Sequence, residues 1–297
     1  MKFVTSVPGF FFLPRTLEPW HYGMTPTDMM DFARRLDAMG YDYLSVPDHV
    51  VMPTERLEAY GARWPDAIVA MSYFAAVTER IRIVTGVLVL PYRNPVILAK
   101  AISTLDYYSG GRITLGIGVG DLEPESDILN APHHNRGVRA DEYIRAMKEL
   151  WASDEPKFEG EFVQFENIAF DPKSVQKPHP PLWVGGHTRR AMRRAASYAN
   201  GWQPFSTVTL EELPGHLEYI RQQPGYTEPF DIVMPSAAGL GRDGRDVSRD
   251  QALERLDELA RIGITHTGAI IGRASSKEGH LEKLQWFAEE VMPACHD

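Results

Sequence analysis

An aspartate and a histidine stand side by side at Asp48 and His49, in the stretch SVPDHV that follows a short strand-like run. A carboxylate and an imidazole at adjacent positions can accept, donate or relay a proton near neutral pH. The same two residues would also suit a turn that Asp48 caps while His49 packs on the rim. The spacing does not choose between these readings, and the pair is a candidate proton-transfer site.

A candidate anion site lies in the stretch PLWVGGHTRR. Strand-like apolar residues run into Gly185 and Gly186, and a helix is predicted to begin near Thr188. Free N–H groups at a helix N-terminus bind phosphate, and glycines let an anion approach the backbone. Local positive charge in this acidic chain comes from four arginines, Arg189, Arg190, Arg193 and Arg194. The glycines could instead only turn the chain, with the arginines on a solvated helix face, but phosphate binding is favoured.

Glycines also interrupt two strand-like runs. Gly86 lies inside IRIVTGVLVL, and LGIGVGD places Gly116, Gly118 and Gly120 at alternate positions before Asp121. Glycine destabilises a strand unless a bulge or a close approach requires it. A flat ligand pressed against these strands would explain the glycines, but so would a bulge or the packing of small residues in one layer of a barrel.

Eight β-branched runs alternate with helical patterns, which is typical of βα units and a parallel sheet. The runs are residues 2–7, 41–46, 81–90, 112–119, 181–186, 201–205, 230–238 and 264–272. Eight units predict a (β/α)8 barrel, in which the functional residues follow the strands. The alternative, an open doubly wound sheet, normally carries G-x-G-x-x-G after its first strand, and KFVTSVPGFFFLP has no such motif.

We predict a single barrel domain over residues 1–297, with an insertion after the fourth βα unit. Residues 152–180 depart from the βα rhythm and are rich in proline, phenylalanine and acidic residues. Long segments of this kind inside a domain are usually excursions from the scaffold. The insertion is predicted to hold one hairpin.

The composition excludes several classes of partner and site. A formal charge of −9 gives no positive field for nucleic acid or an anionic membrane, and no apolar run reaches the roughly 20 residues that span a bilayer. Cys295 is the only cysteine, so an intrachain disulfide is excluded and a cytoplasmic protein is expected. His133 and His134 have no acidic residue at ligand spacing, so we expect solvated histidines and no metal site.

Four segments, in this order and spacing, resemble the bacterial luciferase-like flavin and deazaflavin oxidoreductases. They are GYDYLSVPDHV, TGVLVLPYRNPVILAKAISTLDYYSGGRITLGIGVG, NRGVRADEYIRAMKELW and PHPPLWVGGHTRRAMRRAA. The resemblance spans about residues 1–205 and implies a (β/α)8 barrel with an insertion. Within the family, the chain is most similar to the branch that uses coenzyme F420, a deazaflavin with a phosphate-bearing tail. A second branch uses FMN.

The resemblance implies roles for individual residues. It puts Asp48 near the deazaflavin ring, His49 on the substrate side of the ring, and a non-prolyl cis peptide that backs the ring at Gly86-Val87. The other implied cofactor contacts are Val119, Gly120 and Asp121 after the fourth strand, and Gly185, Gly186, His187 and Thr188 in the phosphate loop.

The sequence also departs from part of this family. Its sugar-phosphate dehydrogenases have a tryptophan shortly after the Asp-His pair and a glutamate at the position of Asp121, whereas PDHVVMP has no tryptophan here. A sugar phosphate is therefore not the expected substrate. Asp121 remains a candidate proton donor or acceptor.

The predicted function is hydride transfer between F420 and a small organic substrate, with His49 or Asp121 supplying the proton. The alternative is an FMN-dependent monooxygenase that uses O2 and reduced flavin from a partner flavin reductase. A non-catalytic cofactor-binding barrel is a remote alternative. An aldolase or isomerase would normally want a lysine or glutamate at the strand ends discussed, and none supplies one. Family members are commonly dimers, so a homodimer is the assembly that the resemblance suggests.

Overall fold

The computed structural model describes residues 1–240 and 245–295. Eight parallel strands, the third of them split in two, close into a barrel. The barrel strands are β1 (Lys2–Thr5), β2 (Tyr43–Val46), β3 (Arg82–Thr85) continued by β4 (Leu88–Val89), β5 (Ile113–Gly118), β8 (Leu182–Gly185), β9 (Gly201–Gln203), β10 (Asp231–Met234) and β11 (His266–Thr267). Their order around the barrel is β1, β2, β3, β5, β8, β9, β10, β11, and β11 pairs with β1 to close it. The predicted (β/α)8 fold and its eight strand positions are confirmed.

The third strand differs from the prediction of one continuous run over residues 81–90. It is split at Gly86 and Val87, and the peptide bond between these two residues is cis, at the position that the resemblance implied. β3 pairs with β2 and β5, whereas β4 pairs with β5 alone. The interruption turns the chain at the mouth of the barrel.

Helices surround the strands. They are α1 (Pro26–Met39), α2 (Leu57–Tyr60), α3 (Ala67–Val77), α4 (Pro95–Tyr108), α5 (Glu123–Ile128), α6 (Arg136–Ala152), α7 (Arg189–Tyr198), α8 (Leu213–Arg221), α9 (Arg249–Ile262) and α10 (Lys277–Glu290). Local sequence explains both ends of α1: Thr25 and Asp28 form a capping box, and Gly40 ends the helix in a left-handed conformation. Within the described residues, no helix is long and apolar enough to cross a membrane.

The segment 152–180 contains a short antiparallel hairpin of β6 (Phe158–Glu159) and β7 (Gln164–Phe165). The buried carboxylate of Glu142 on α6 accepts hydrogen bonds from the backbone N–H groups of Glu161, Phe162 and Val163. The turn of the hairpin is thereby fixed to the barrel wall beside α6.

The amino end of the barrel interior is filled. Val4, Val84 and Val233 pack with Tyr43 and Trp183 in one buried cluster. The ring of buried His266 lies edge-on to Trp183, with centroids 4.9 Å apart. Because side chains close this end, the cavity of the barrel opens at the carboxyl ends of the strands.

One expectation about the histidine pair is wrong. His133 is not solvated: its side chain is 17% exposed, and its Nδ1 lies 3.8 Å from a carboxylate oxygen of Glu123. His134 is exposed, as expected. In the ranges 1–240 and 245–295, no group of three His, Cys, Asp or Glu side chains is arranged to hold a metal ion.

Candidate active site

A cleft of about 1260 Å³ opens at the carboxyl ends of the barrel strands. All the residues predicted from sequence to act in catalysis or cofactor binding line it, namely Asp48, His49, Gly86, Val87, Val119, Gly120, Asp121, Gly185, Gly186, His187 and Thr188. The fold therefore brings segments more than 130 residues apart in the chain to one cavity.

His49 is held by a buried carboxylate. Its Nδ1 lies 2.8 Å from Oε2 of Glu125, a fully buried residue on α5. Glu125 also accepts hydrogen bonds from the backbone N–H groups of Val50 and Val51 and from the hydroxyl of Tyr92. Burial raises the pKa of Glu125, but the hydrogen bond from His49 and those from the backbone outweigh it, so the net pKa is lowered. Glu125 is thus an anion that orients the imidazole and leaves Nε2 for a ligand.

Two aromatic rings complete the surroundings of His49. Trp64 and Tyr60 meet the imidazole edge-on, with centroids 4.7 Å and 5.7 Å away. Both rings line the cleft and come from the loop between β2 and α3. The imidazole is therefore fixed on one side by a carboxylate and faced on another by apolar surface.

Asp48 is paired with a cation inside the protein. Its two oxygens accept a bidentate pair of hydrogen bonds from Arg93 at 2.7 and 2.8 Å, and one oxygen also accepts from the backbone N–H of Val89. The Asp48 side chain is fully buried and that of Arg93 is 17% exposed. Burial lowers the pKa of Arg93, but the hydrogen bond and charge of Asp48 more than offset this and raise it. Asp48 thus ties the end of β2 to the 3-10 turn after β4.

The strand glycines are explained by packing between β3–β4 and β5. A Cβ on Gly116 would lie 2.0 Å from the carbonyl oxygen of Thr85, and one on Gly118 would lie 2.7 Å from a methyl group of Val87. A Cβ on Gly120 would lie 2.9 Å from Val89, at a backbone φ of +81°. These neighbours are protein atoms, so a ligand is not needed to account for the missing side chains. The interpretation as small-residue packing is correct here.

Gln203 contributes a polar group that the sequence did not reveal. It ends β9, lines the cleft, and places its amide near Gly86 and Gly116. Its Oε1 is buried and has no hydrogen-bond partner. A buried acceptor in this state is normally matched by a ligand or by ordered water.

The predicted phosphate loop has the geometry of an anion site. Gly186 has φ +112°, which side chains other than glycine rarely adopt, and its N–H donates to the carbonyl of Gln203. α7 begins directly after Thr188, whose hydroxyl accepts from the backbone N–H of Ala191. The first turn of this ten-residue helix therefore faces the cleft with a positive dipole end.

The arginines near this loop are not equivalent. Arg189 and Arg190 are exposed and line the cleft. Arg194 also lines it, but is buried and paired with Asp141. Arg193 does not line the cleft and donates to the hydroxyl of Tyr219 instead. Of the four arginines that add local positive charge, Arg189 and Arg190 therefore bring exposed charge to the cleft.

Glu125, the second residue that the sequence analysis missed, lies away from the strand ends. Asp121, predicted from its place after β5, is exposed at the rim of the cleft, whereas Glu125, one helical turn further, is the buried partner of His49. Glu125 lies in the first turn of α5, two residues after the helix begins, whereas Asp121 precedes the helix. Its contact with His49, 76 residues away, carried no sequence signal.

The lining fits a flavin or deazaflavin cofactor. The volume is sufficient for such a ligand, the α7 N-terminus suits a phosphate, and the unpaired Oε1 of Gln203 suits an N–H donor of a heterocyclic ring. On the cleft wall, Gly86 lies beside the amide of Gln203, and Val87 lies beside Gly185.

Two relatives illustrate the sequence similarity. An uncharacterized protein of Mycobacterium tuberculosis is 31% identical over 281 residues, 90% of this chain and 95% of the relative. The FMNH2-dependent dimethylsulfone monooxygenase of Pseudomonas putida is 32% identical over 226 residues, 74% of this chain and 62% of that enzyme.

Solved structures share the fold over the whole chain. The monooxygenase RslO1 of Streptomyces bottropensis superimposes with a TM-score of 0.78 at 22% identity, covering 99% of this chain and all of that one. An F420-dependent secondary alcohol dehydrogenase, solved with an F420-acetone adduct, gives 0.71 at 18% identity and covers both chains fully. The family model described as luciferase-like monooxygenase matches residues 1–254. The chain is therefore a member of the luciferase-like monooxygenase family of oxidoreductases.

Proposed function

We propose that this protein transfers a hydride between coenzyme F420 and a small organic substrate. The observation that carries the proposal is the arrangement of one cleft: the α7 N-terminus with Arg189 and Arg190 forms one side, and His49, fixed by Glu125, belongs to another. An anionic tail at the helix end would leave the ring of the same ligand within the barrel mouth. The F420-dependent alcohol dehydrogenase with the same fold supports this use of the cleft.

Different residues of the chain would bind the phosphate, contact the ring and exchange the proton. The phosphate would be held by Gly185, Gly186, His187 and Thr188, and the ring would contact Gly86, Val87, Val119, Gly120 and the neighbourhood of Asp48. When bound, the deazaflavin supplies the atom that accepts or donates the hydride. His49 would exchange a proton with the reacting oxygen of the substrate at Nε2, while Glu125 holds Nδ1. The exposed Asp121 is the other candidate for this proton.

An FMN-dependent monooxygenase is the second candidate. It is favoured by the 32% identity to an FMNH2-dependent enzyme over 74% of this chain. The same helix end would bind the single phosphate of FMN. This protein would then need reduced flavin from a partner flavin reductase and would consume O2.

The test is a titration of the purified protein with F420 and, separately, with FMN, followed by cofactor fluorescence. Micromolar binding of F420 with weak binding of FMN supports the proposal. Tight FMN binding with O2 uptake, and no binding of F420, moves the protein to the monooxygenase function. Binding of a cofactor with no turnover across a panel of alcohols and ketones would indicate a binding barrel.

A matched pair of charge reversals tests the position of the phosphate. Arg190→Glu changes a residue that lines the cleft, and Arg193→Glu makes the same change on the same helix at a residue that does not. We expect Arg190→Glu to weaken cofactor binding at least ~10-fold at low salt, since it replaces an attraction by a repulsion. Equal losses in both variants would contradict a phosphate at this helix end.

We further propose a cytoplasmic protein without nucleic-acid or membrane partners. A homodimer is the proposed assembly. Size-exclusion chromatography with light scattering, on the full chain at micromolar concentration, measures the assembly directly. A mass of about 33.5 kDa would identify a monomer and overturn the dimer.

A further inference from the structure

The two sides of the cleft belong to opposite parts of the barrel. Counting around the closed sheet, β8, which precedes the anion site, is four strands from β1 in either direction. The strands β11, β1 and β2 are consecutive. The loops that follow these three strands therefore face the anion site across the barrel mouth.

These three loops form a largely apolar wall. Phe11 and Trp64 stack with centroids 5.3 Å apart and an interplanar angle of 25°, and Trp64 also contacts His49. We call the wall, together with Leu284 of helix α10, the aromatic chamber, and its residues are Phe11, Leu17, Tyr60, Trp64, Ile271 and Leu284. The chamber borders His49, whose Nδ1 is hydrogen-bonded to Glu125.

Among the side chains that the structure describes, those around the chamber offer no uncompensated charge. Asp48 is neutralised by Arg93. Burial, together with the nearby His21 and Lys283, lowers the pKa of His280 to about 4. Burial also lowers the pKa of His21, whose Nδ1 accepts from the backbone N–H of Glu18. Both histidines are therefore neutral at pH 7, in contrast to the arginines on the opposite side.

We propose that the aromatic chamber binds an uncharged, largely apolar substrate and directs its reacting oxygen to His49. A carboxylate or phosphate placed there would lose its hydration and gain no cation. An alkyl or aryl group would instead be removed from water against aromatic rings, at roughly 25 cal/mol for each Å² of apolar surface buried. The chamber itself does not depend on the proposed function, which supplies only the role of His49.

The test is calorimetric titration of the full chain at pH 7.5 with 2-octanone and with octanoate. The two probes have the same number of carbon atoms and differ in charge. Each titration is run without cofactor and again with saturating F420 or FMN, whichever binds. We expect 2-octanone to bind at least ~10-fold more tightly than octanoate in one or both conditions. Equal or tighter binding of octanoate, or binding of neither probe, would overturn the proposal.

Variants locate the probe. We expect Trp64→Ala to weaken 2-octanone binding about 10-fold or more, whereas Tyr108→Ala, at an aromatic residue 81% exposed on α4, leaves it unchanged. Leu17→Lys places a cation in the chamber and should raise octanoate affinity. If Trp64→Ala and Leu17→Lys both leave the two affinities as they are, the probes bind elsewhere and the proposal fails.

The outcomes separate this inference from the proposed function. Selective binding of 2-octanone without binding of F420 would support the chamber proposal and contradict hydride transfer with F420. If Arg190→Glu abolishes cofactor binding but the protein prefers octanoate, the cofactor proposal is supported. The proposal of an apolar substrate then fails.

Discussion

The Nδ1 atom of His49 lies 2.8 Å from Oε2 of Glu125, and this carboxylate is fully buried between α5 and the loop after β2. Four hydrogen bonds, from the imidazole, two backbone N–H groups and the hydroxyl of Tyr92, converge on its two oxygens. A buried charge with this many donors has one stable position. The orientation of His49 is therefore set before any ligand enters.

Glu125→Gln keeps the side-chain length and removes the charge. With the proposed role of His49 in proton transfer, we expect kcat to fall about 10- to 100-fold with little change in KM, because Glu125 contacts the His49 ring and would not contact the substrate. His49→Gln should cost more, about 100-fold or beyond. Steady-state kinetics at several pH values give kcat and KM for the wild type and both variants.

Tyr92→Phe is the control for this prediction. It removes one donor to Glu125 at 3.2 Å and leaves the contact with His49 in place. We expect a loss of less than ~3-fold, since His49, the proposed proton donor or acceptor, keeps its contact with Glu125. If Tyr92→Phe is as slow as Glu125→Gln, disturbed packing explains both variants and Glu125 has no role in positioning the proton acceptor.

We expect loss of the Asp48–Arg93 ion pair to lower the stability of the fold strongly. Arg93→Met leaves the fully buried Asp48 without its cation, and we expect the free energy of unfolding to fall by about 3–5 kcal/mol. Arg35→Met removes an exposed ion pair with Asp31 and should cost less than ~1 kcal/mol. Urea unfolding followed by circular dichroism gives both values. Similar small losses in both variants would show that Asp48 does not depend on Arg93.

The sequence predicted the scaffold better than the side-chain pairs of the cleft. The eight strands follow from β-branched runs, and the turn from β8 into α7 follows from a strand, two glycines and a helix start, which are local patterns. The pairs His49–Glu125 and Asp48–Arg93 join residues 76 and 45 positions apart. Such pairs depend on the register of the barrel and the path of each loop, which no local pattern encodes.

The glycines of LGIGVGD show the same limit. Their spacing correctly indicated a face without side chains, but could not identify what lies against it. That neighbour is the interrupted third strand, with Thr85, Val87 and Val89 opposite Gly116, Gly118 and Gly120. Only the pairing of β3 and β4 with β5 in space distinguishes packing from ligand contact.

Gly118→Ala should therefore destabilise the fold without any ligand present. Its methyl group would lie 2.7 Å from Cγ2 of Val87, and overpacking of this kind costs about 1–3 kcal/mol. Gly215→Ala, in α8 with no atom within 4 Å of the added methyl group, should be neutral or stabilising by up to ~1 kcal/mol.

A double variant tests the cause of the Gly118 effect. Val87→Ala removes the methyl groups that the new side chain meets, so Gly118→Ala should cost less in that background than in the wild type. Thermal unfolding of the four proteins gives the coupling. Additive losses would mean that Val87 is not the obstacle.

Because His266 is buried, we expect the folded protein to lose stability in mild acid. Burial, with Lys2 and the N-terminal ammonium nearby, lowers the pKa of His266 to about 3, whereas an unfolded histidine titrates near 6.5. Below pH 6.5 the unfolded chain therefore binds a proton that the folded chain does not. The stabilisation is complete above pH 6.5 and is lost as the pH falls toward 3, by on the order of 3 kcal/mol between pH 7 and pH 4.

Urea unfolding at pH 7, 6, 5 and 4 measures this slope, and His266→Asn isolates it. Asp231, whose Oδ1 lies 3.9 Å from the imidazole, is present in both proteins, so its own titration largely cancels in the difference. We expect the variant to be less stable at pH 7 because the packing against Tyr43 and Trp183 is lost, but to lose less stability toward pH 4. His134→Asn, at an exposed histidine, should keep the wild-type slope. Parallel pH curves for His266→Asn and the wild type would show that His266 is already protonated in the folded protein at pH 4.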